Sequence, residues 1–146
     1  MRTRILLALA VLAAALLATP GTASAYDGSP CSRTQNTVYT IFKVQYCPLW
    51  TGGVPVYDLS AVWSGGNQAP VGYLTYGGWS NWFNGQAQFG EYYLNGSVHN
   101  NWWAFTQADN GAWGWVPEVY FSGGNNDEKD AGLYDCASAG NWCTLP

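Results

Sequence analysis

An all-β, antiparallel domain is the fold expected of this chain, on three observations. Beyond residue 25 the apolar residues alternate with polar ones or come in short runs. Gly, Asn and Ser interrupt those runs every several residues, as they do where short strands meet tight turns. The runs themselves are filled by β-branched and aromatic side chains, which suit a pleated, half-buried surface. No stretch after residue 25 carries a convincing helical period.

The first 25 residues are read apart from that domain. Arg2 and Arg4 precede the apolar run from Ile5 to Leu17, Pro20 and Gly21 break it, and Ala23-Ser24-Ala25 offers a small-residue cleavage site. Charged, apolar and cleavable regions in that order make an export signal. The apolar run is shorter than the roughly 20 residues that span a bilayer, so no membrane insertion is expected and the protein should be secreted. Cleavage leaves residues 26–146, a length suited to one domain.

Export removes two cations, so Arg33, Lys43 and Lys129 remain against nine Asp and Glu. Three scattered cations on an acidic surface repel phosphate, whereas nucleic-acid binding needs clustered Lys and Arg. Nucleic acids and anionic lipid surfaces are therefore excluded as partners. All four cysteines, Cys31, Cys47, Cys136 and Cys143, lie in the exported part. An even count in a short secreted chain reads as two disulfides, with all three connectivities open. The cysteines lack the close CxxC pairs of a zinc site, and no metal or cofactor is expected.

Strands are expected at Val38–Val44, Val54–Tyr57, Val71–Thr75, Asn81–Phe89, Trp102–Gln107, Trp113–Val116 and Val119–Phe121. Gly52-Gly53, Ser64-Gly65-Gly66, Gly77-Gly78 and Asn95-Gly96 mark reversals between them. The strongest hairpin signal is Asn110-Gly111, the favoured pair for a type I′ turn, set between Trp102–Gln107 and Trp113–Val116. The chain carries nine Trp, ten Tyr and five Phe, more large rings than so small a domain can hide. Some must lie at the surface, where clustered rings mark a recognition site.

Trp102-Trp103-Ala104, the Asp109-Asn110-Gly111 hairpin and Gly114-Trp115-Val116-Pro117-Glu118-Val119-Tyr120-Phe121 together resemble the second half of an SH3 fold. Val54-Pro55-Val56-Tyr57-Asp58 and Val71-Gly72-Tyr73-Leu74-Thr75 resemble the opening of bacterial SH3-like domains. With Asn81-Trp82-Phe83 and an acidic tail after the last strand, the chain is similar to the short secreted SH3-like proteins of actinobacteria. The resemblance covers roughly residues 51–136. It implies a small antiparallel barrel with extended loops, stapled by two disulfides and ending in a tight helical turn before Tyr120. The chain then divides into a signal (1–25), an N-terminal arm and first strand (26–50), the SH3-like domain (51–124) and an acidic, Cys-containing tail (125–146). Two departures stand out: residues 86–101 form a long aromatic loop, and Gly85 occupies the place where relatives carry a cysteine that pairs with the tail.

The resemblance further implies a shallow aromatic groove formed by Tyr57, Trp102, Trp103, Trp115, Pro117 and Tyr120. Trp102 and Trp103 are adjacent on a strand and must face opposite ways; one belongs to the core, and Trp102 is favoured for the groove. Such a groove suits an extended, low-entropy polymer, so the expected partners are peptidoglycan, a peptide or a glycan, bound by a monomer. A small carbohydrate-binding protein is the alternative, and a secreted cell-wall hydrolase or antibacterial effector a third. No catalytic residue is assigned. His99 lacks a nucleophile beside it and reads as a loop histidine. Asp58, Glu91, Asp109 and Glu118 are carboxylates of the sort a glycosidase pairs across a cleft, but any acidic β protein has as many. The run Asn125–Asp130 offers oxygen ligands without the alternating order of a calcium loop and reads as solvated.

Overall fold

A computed structural model describes residues 30–32, 34–39, 42–136 and 143. The expected export signal and cleavage site lie outside the described residues. Eight strands and two short helices follow in order: β1 (Asn36–Val38), β2 (Phe42–Leu49), β3 (Val54–Val56), α1 (Leu59–Trp63), β4 (Gly72–Leu74), β5 (Gly78–Phe83), β6 (Gly85–Tyr93), β7 (His99–Gln107), β8 (Trp113–Pro117) and a single 3-10 turn at Glu118–Tyr120.

The strands form three antiparallel sheets, β1-β2-β5, β3-β4 and β6-β7-β8. The all-β, antiparallel expectation holds, but among the described residues no sheet closes into a barrel. Closure stops for a local reason. After Val56 a bridge between Tyr57 and Trp115 ties β3 to β8, and Asp58 then turns the chain away by capping α1. The Asp58 side chain accepts from the Ala61 N–H at 2.9 Å and from the Ser60 hydroxyl at 2.7 Å. Those hydrogen bonds, that from Ser60 foremost, hold its carboxyl below the usual range. Five helical residues are too few for a period to show in sequence, which is why α1 escaped the pattern reading.

Other departures also have local causes. The expected strand Asn81–Phe89 is interrupted at Asn84, whose Nδ2 donates to the Lys43 carbonyl at 2.6 Å. Residues 86–101 are not a loop: β6 and β7 pair as a hairpin closed by Asn95, whose Oδ1 accepts from the N–H groups of Ser97 and Val98. Val119–Phe121 is not a strand; it follows Pro117 as the 3-10 turn, and Phe121 makes only a bridge to Leu49. The Asn110-Gly111 hairpin forms, but not as type I′, which needs positive φ at both residues. Of the pair only Gly111 has it, at 87°. The Gly111 N–H donates to Ala108 O and the Ala108 N–H to Ala112 O, giving a three-residue loop with its glycine last. Asn110 is held instead by its Nδ2 bond to Val71 O at 2.9 Å, and Asp109 accepts the Thr75 N–H at 2.7 Å.

Two hydrophobic clusters lie on either side of β7 and β8. Trp103, Phe105 and Trp115 enter one with Val44, Tyr57, Ala61 and Val62. Ala104 and Val116 enter the other with Leu49, Val54, Phe83, Tyr120 and Phe121. A strand covered on both faces loses its apolar–polar alternation, and Trp103 through Thr106 are accordingly all buried.

The disulfides take the local pairing, Cys31–Cys47 and Cys136–Cys143. Such bridges form and persist in oxidising surroundings. Gly85 sits directly beneath the second one: a Cβ there would lie 2.9 Å from Cys143 Sγ and 3.4 Å from Cys136 Sγ. The tail's own second cysteine thus occupies the neighbourhood where the resemblance puts a strand cysteine. Arm and tail share the core, since Cys31, Cys47 and Leu133 belong to the Phe83 cluster. Nor is the acidic run solvated throughout: the Asp130 carboxylate is buried and accepts the N–H groups of Cys31, Gly132 and Leu133. Among the described residues no helix is long and apolar enough to cross a membrane.

Candidate functional site

The groove residues expected from sequence divide into buried and accessible ones. Trp103 is fully buried at 0 % exposure. Its indole N–H donates to the Gly90 carbonyl at 2.8 Å, so it is a core side chain and presents no face to a ligand. Pro117 is buried as well, and Trp115 has only an edge on a cleft of about 260 Å³ shared with Asp58, Leu59 and Trp113. Trp102 is half-buried, with the Lys129 ammonium 5.4 Å from its ring centre.

Tyr57 and Tyr120 do come together, through a residue the sequence did not single out. Tyr92, from the β6–β7 hairpin, fills the space between them. Its hydroxyl lies 3.0 Å from that of Tyr120, and its ring packs against that of Tyr57 with centroids 5.9 Å apart. Trp103 backs the row, edge-on to Tyr57 and Tyr92 at 5.9 and 5.7 Å. Burial raises all three hydroxyl pKa values, that of Tyr92 to about 12, so at neutral pH the row is uncharged and able to donate hydrogen bonds. Tyr57 and Tyr120 are only 6 % and 8 % exposed; the row is a floor, not an open groove.

The accessible rings flank this floor. Trp50 stacks on Tyr120 with centroids 6.0 Å apart and planes 20° from parallel, and its indole N–H donates to Val119 O at 2.8 Å. Tyr73, Tyr76 and Trp79 are exposed, Tyr76 at 72 %. The backbone that carries Trp50 packs closely against the segment that carries the last two. Leu49 pairs with Gly78 across β2 and β5. A Cβ on Gly52 would meet Thr75 O at 2.3 Å, and one on Gly77 would meet the Thr51 backbone at 2.8 Å. Only glycine lets two chain segments approach so closely. The sequence signal was there to read: Trp50-Thr51-Gly52-Gly53 and Tyr76-Gly77-Gly78-Trp79 each attach a large ring to a glycine pair.

Of the candidate catalytic groups, His99 and Glu91 come together, whereas Asp58, Asp109 and Glu118 are taken up in separate structural roles. Asp58 caps a helix and Asp109 pins a loop, as described above. Glu118 is buried, its Oε2 accepting the Asp130 N–H at 2.9 Å and its Oε1 without a hydrogen bond among the described residues. Burial pushes its carboxyl pKa well above the ordinary value. Below pH about 4.5 the unfolded chain holds this proton too. As pH rises further, the unfolded chain ionises first, and Glu118's contribution to stability is lost towards its raised folded pKa. Glu118→Gln should therefore raise the melting temperature by several degrees at pH 7 and by little at pH 4. Equal shifts in melts at both pH values would contradict this.

No family model matches the chain, and no curated protein or solved structure matches it either. The function must be argued from the residues themselves.

Proposed function

We propose that this is a secreted, non-enzymatic binding module that holds an extended cell-envelope polymer or peptide against an aromatic face. The observation that carries the reading is the grouping of exposed Trp50, Tyr76 and Trp79 at one sheet end, with Trp50 stacked on the tyrosine floor. Exposed rings supply contact area with little ordering cost, and the tyrosine row adds neutral hydroxyls at its edge. An SH3-like arrangement of the second half supports the same reading. In its favour are the β6-β7-β8 meander, Pro117 leading into the turn at Glu118–Tyr120, and the bridge from Tyr57 to β8.

Co-sedimentation with purified peptidoglycan, run beside chitin, tests it. The oxidised protein should pellet with peptidoglycan. Trp50→Ala and Trp79→Ala should each weaken binding on the order of tenfold, about 1.4 kcal/mol, with little loss of fold. Pelleting with both polymers would favour sugar stacking and the carbohydrate-binding alternative. Unchanged binding by both variants would rule out this face, and clearing of the suspension would point to a hydrolase.

A further inference from the structure

Glu91 and His99 from the β6–β7 hairpin and Asp127 from the tail meet beside a cleft. His99 is not in a loop; it opens β7 opposite Tyr93 of β6. Glu91 lies two residues before Tyr93 in β6. It reaches His99 from the stretch where the β6–β7 register shifts, between Gln88 and Tyr92, and a bulge of this kind re-aims the side chains it carries. Asp127 comes from the tail. His99 Nδ1 lies 2.6 Å from Glu91 Oε1 and 3.4 Å from Asp127 Oδ1, and the three ligating atoms fall within 4.8 Å of one another.

The tail turn is held in place by contacts of its own. Asn126 Oδ1 accepts the His99 backbone N–H, its Nδ2 donates to Ser97 O, and Asn100 Nδ2 donates to Glu128 O at 2.9 Å. Asp127 is thus delivered to His99 by neighbours, not by its own charge alone. Alongside lies a cleft of about 380 Å³ lined by Val98, His99, Asn100, Val119, Asn125 and Asn126. All three candidate ligands are partly exposed, so an ion could enter without unfolding the turn.

We propose that Glu91, His99 and Asp127 bind one divalent transition-metal ion of the zinc class, with the neighbouring cleft leaving room for water or a ligand oxygen on the metal. One imidazole nitrogen and two carboxylate oxygens form a mixed set that zinc accepts at roughly 2.0–2.2 Å. Ligand atoms at that length around a tetrahedral ion stand roughly 3.3 Å apart. The His99–Asp127 separation already matches, and a small rotation of the half-exposed Glu91 opens the other. Two carboxylates and a neutral imidazole balance a dication, whose entry displaces any proton on Nδ1 to solvent. Calcium prefers six or more oxygens and makes poor use of an imidazole.

The test uses the purified protein, disulfides intact and stripped with chelator, titrated with zinc chloride by calorimetry and with cobalt chloride by visible absorption. One equivalent should bind, with a cobalt band that reports a nitrogen–oxygen site. His99→Ala should abolish the band and lower zinc affinity at least about tenfold. Asp127→Asn, which keeps the side chain's shape, should also weaken binding, and circular dichroism of both variants should match the parent. Absence of heat and of a cobalt band at about 1 mM metal would overturn the proposal. So would a folded His99→Ala protein that binds like the parent.

Discussion

Trp103→Ala should destabilise the protein by roughly 3–5 kcal/mol, whereas Trp102→Ala, one residue earlier, should cost only about 1 kcal/mol. The larger loss follows from burial. Trp103 is enclosed on all sides, touches Tyr57 and Tyr92 edge-on and satisfies the Gly90 carbonyl. Truncation leaves a cavity, an unpaired carbonyl in the bulge and a tyrosine row with no backing. Trp102 is half-buried, with the Lys129 ammonium over its ring. Trp103→Phe separates the terms, since it keeps much of the apolar contact and loses the indole hydrogen bond, for about 1–2 kcal/mol. Urea denaturation of the three variants decides the matter. Equal losses at 102 and 103 would mean that the two rings do not face as described.

Asp130→Ala should be nearly as damaging. The carboxylate accepts the N–H of Cys31 at 3.0 and 3.2 Å, that of Gly132 at 2.7 Å and that of Leu133 at 3.0 Å. Each N–H left buried without a partner costs roughly 1–3 kcal/mol, so the total should reach about 3 kcal/mol or more. That is a large share of the roughly 5–15 kcal/mol that holds a domain together. Asp130→Asn keeps one oxygen as acceptor and should cost about half as much. Because Asp130 joins the Cys31 end to the tail, the alanine variant should also lose hydrogen-exchange protection at Gly132 and Leu133 before the β6-β7-β8 sheet loosens. A denaturation midpoint unchanged from the parent would remove Asp130 from the list of structural anchors.

How much of this was legible in the sequence depends on how far apart the cooperating residues lie. The β7–β8 hairpin was visible because Trp113-Gly114-Trp115-Val116 and Asn110-Gly111 encode it locally, although the turn type was decided by Asn110 bonding to distant Val71. The β6 strand was legible only in part: Gly85–Phe89 fell within the expected strand Asn81–Phe89, whereas residues 86–101 were also read as a long aromatic loop. Gln86 is in fact fully buried, its Nε2 bonded to the carbonyls of Asp130 and Leu133, partners more than forty positions away. The candidate site divides in the same way. Tyr57 and Tyr120 were reached through a resemblance, but Tyr92, which joins them, sits in the segment read as a loop. The segments carrying Trp50 and Tyr76 pack together through glycine pairs whose approach is non-local, and the Glu91–His99–Asp127 meeting depends on a register shift that no periodicity announces.

The tail's contact with Gln86 has a consequence for how the protein behaves in crowded solution. Asp135 bridges Gln86 in parallel, with the Gln86 N–H donating to Tyr134 O and the Cys136 N–H to Gln86 O, each at 2.8 Å. On the opposite border of the same sheet, Trp115 of β8 is bridged by Tyr57. Both borders of β6-β7-β8 are thus partly occupied by the chain's own backbone, and an unoccupied border is a template on which another chain can add a strand. Residues 134–136 are made after everything they cover, so the β6 border stands open until the tail is complete. A molecule clipped between Asp130 and Tyr134 would keep most of its aromatic core and yet expose a ready seed for aggregation.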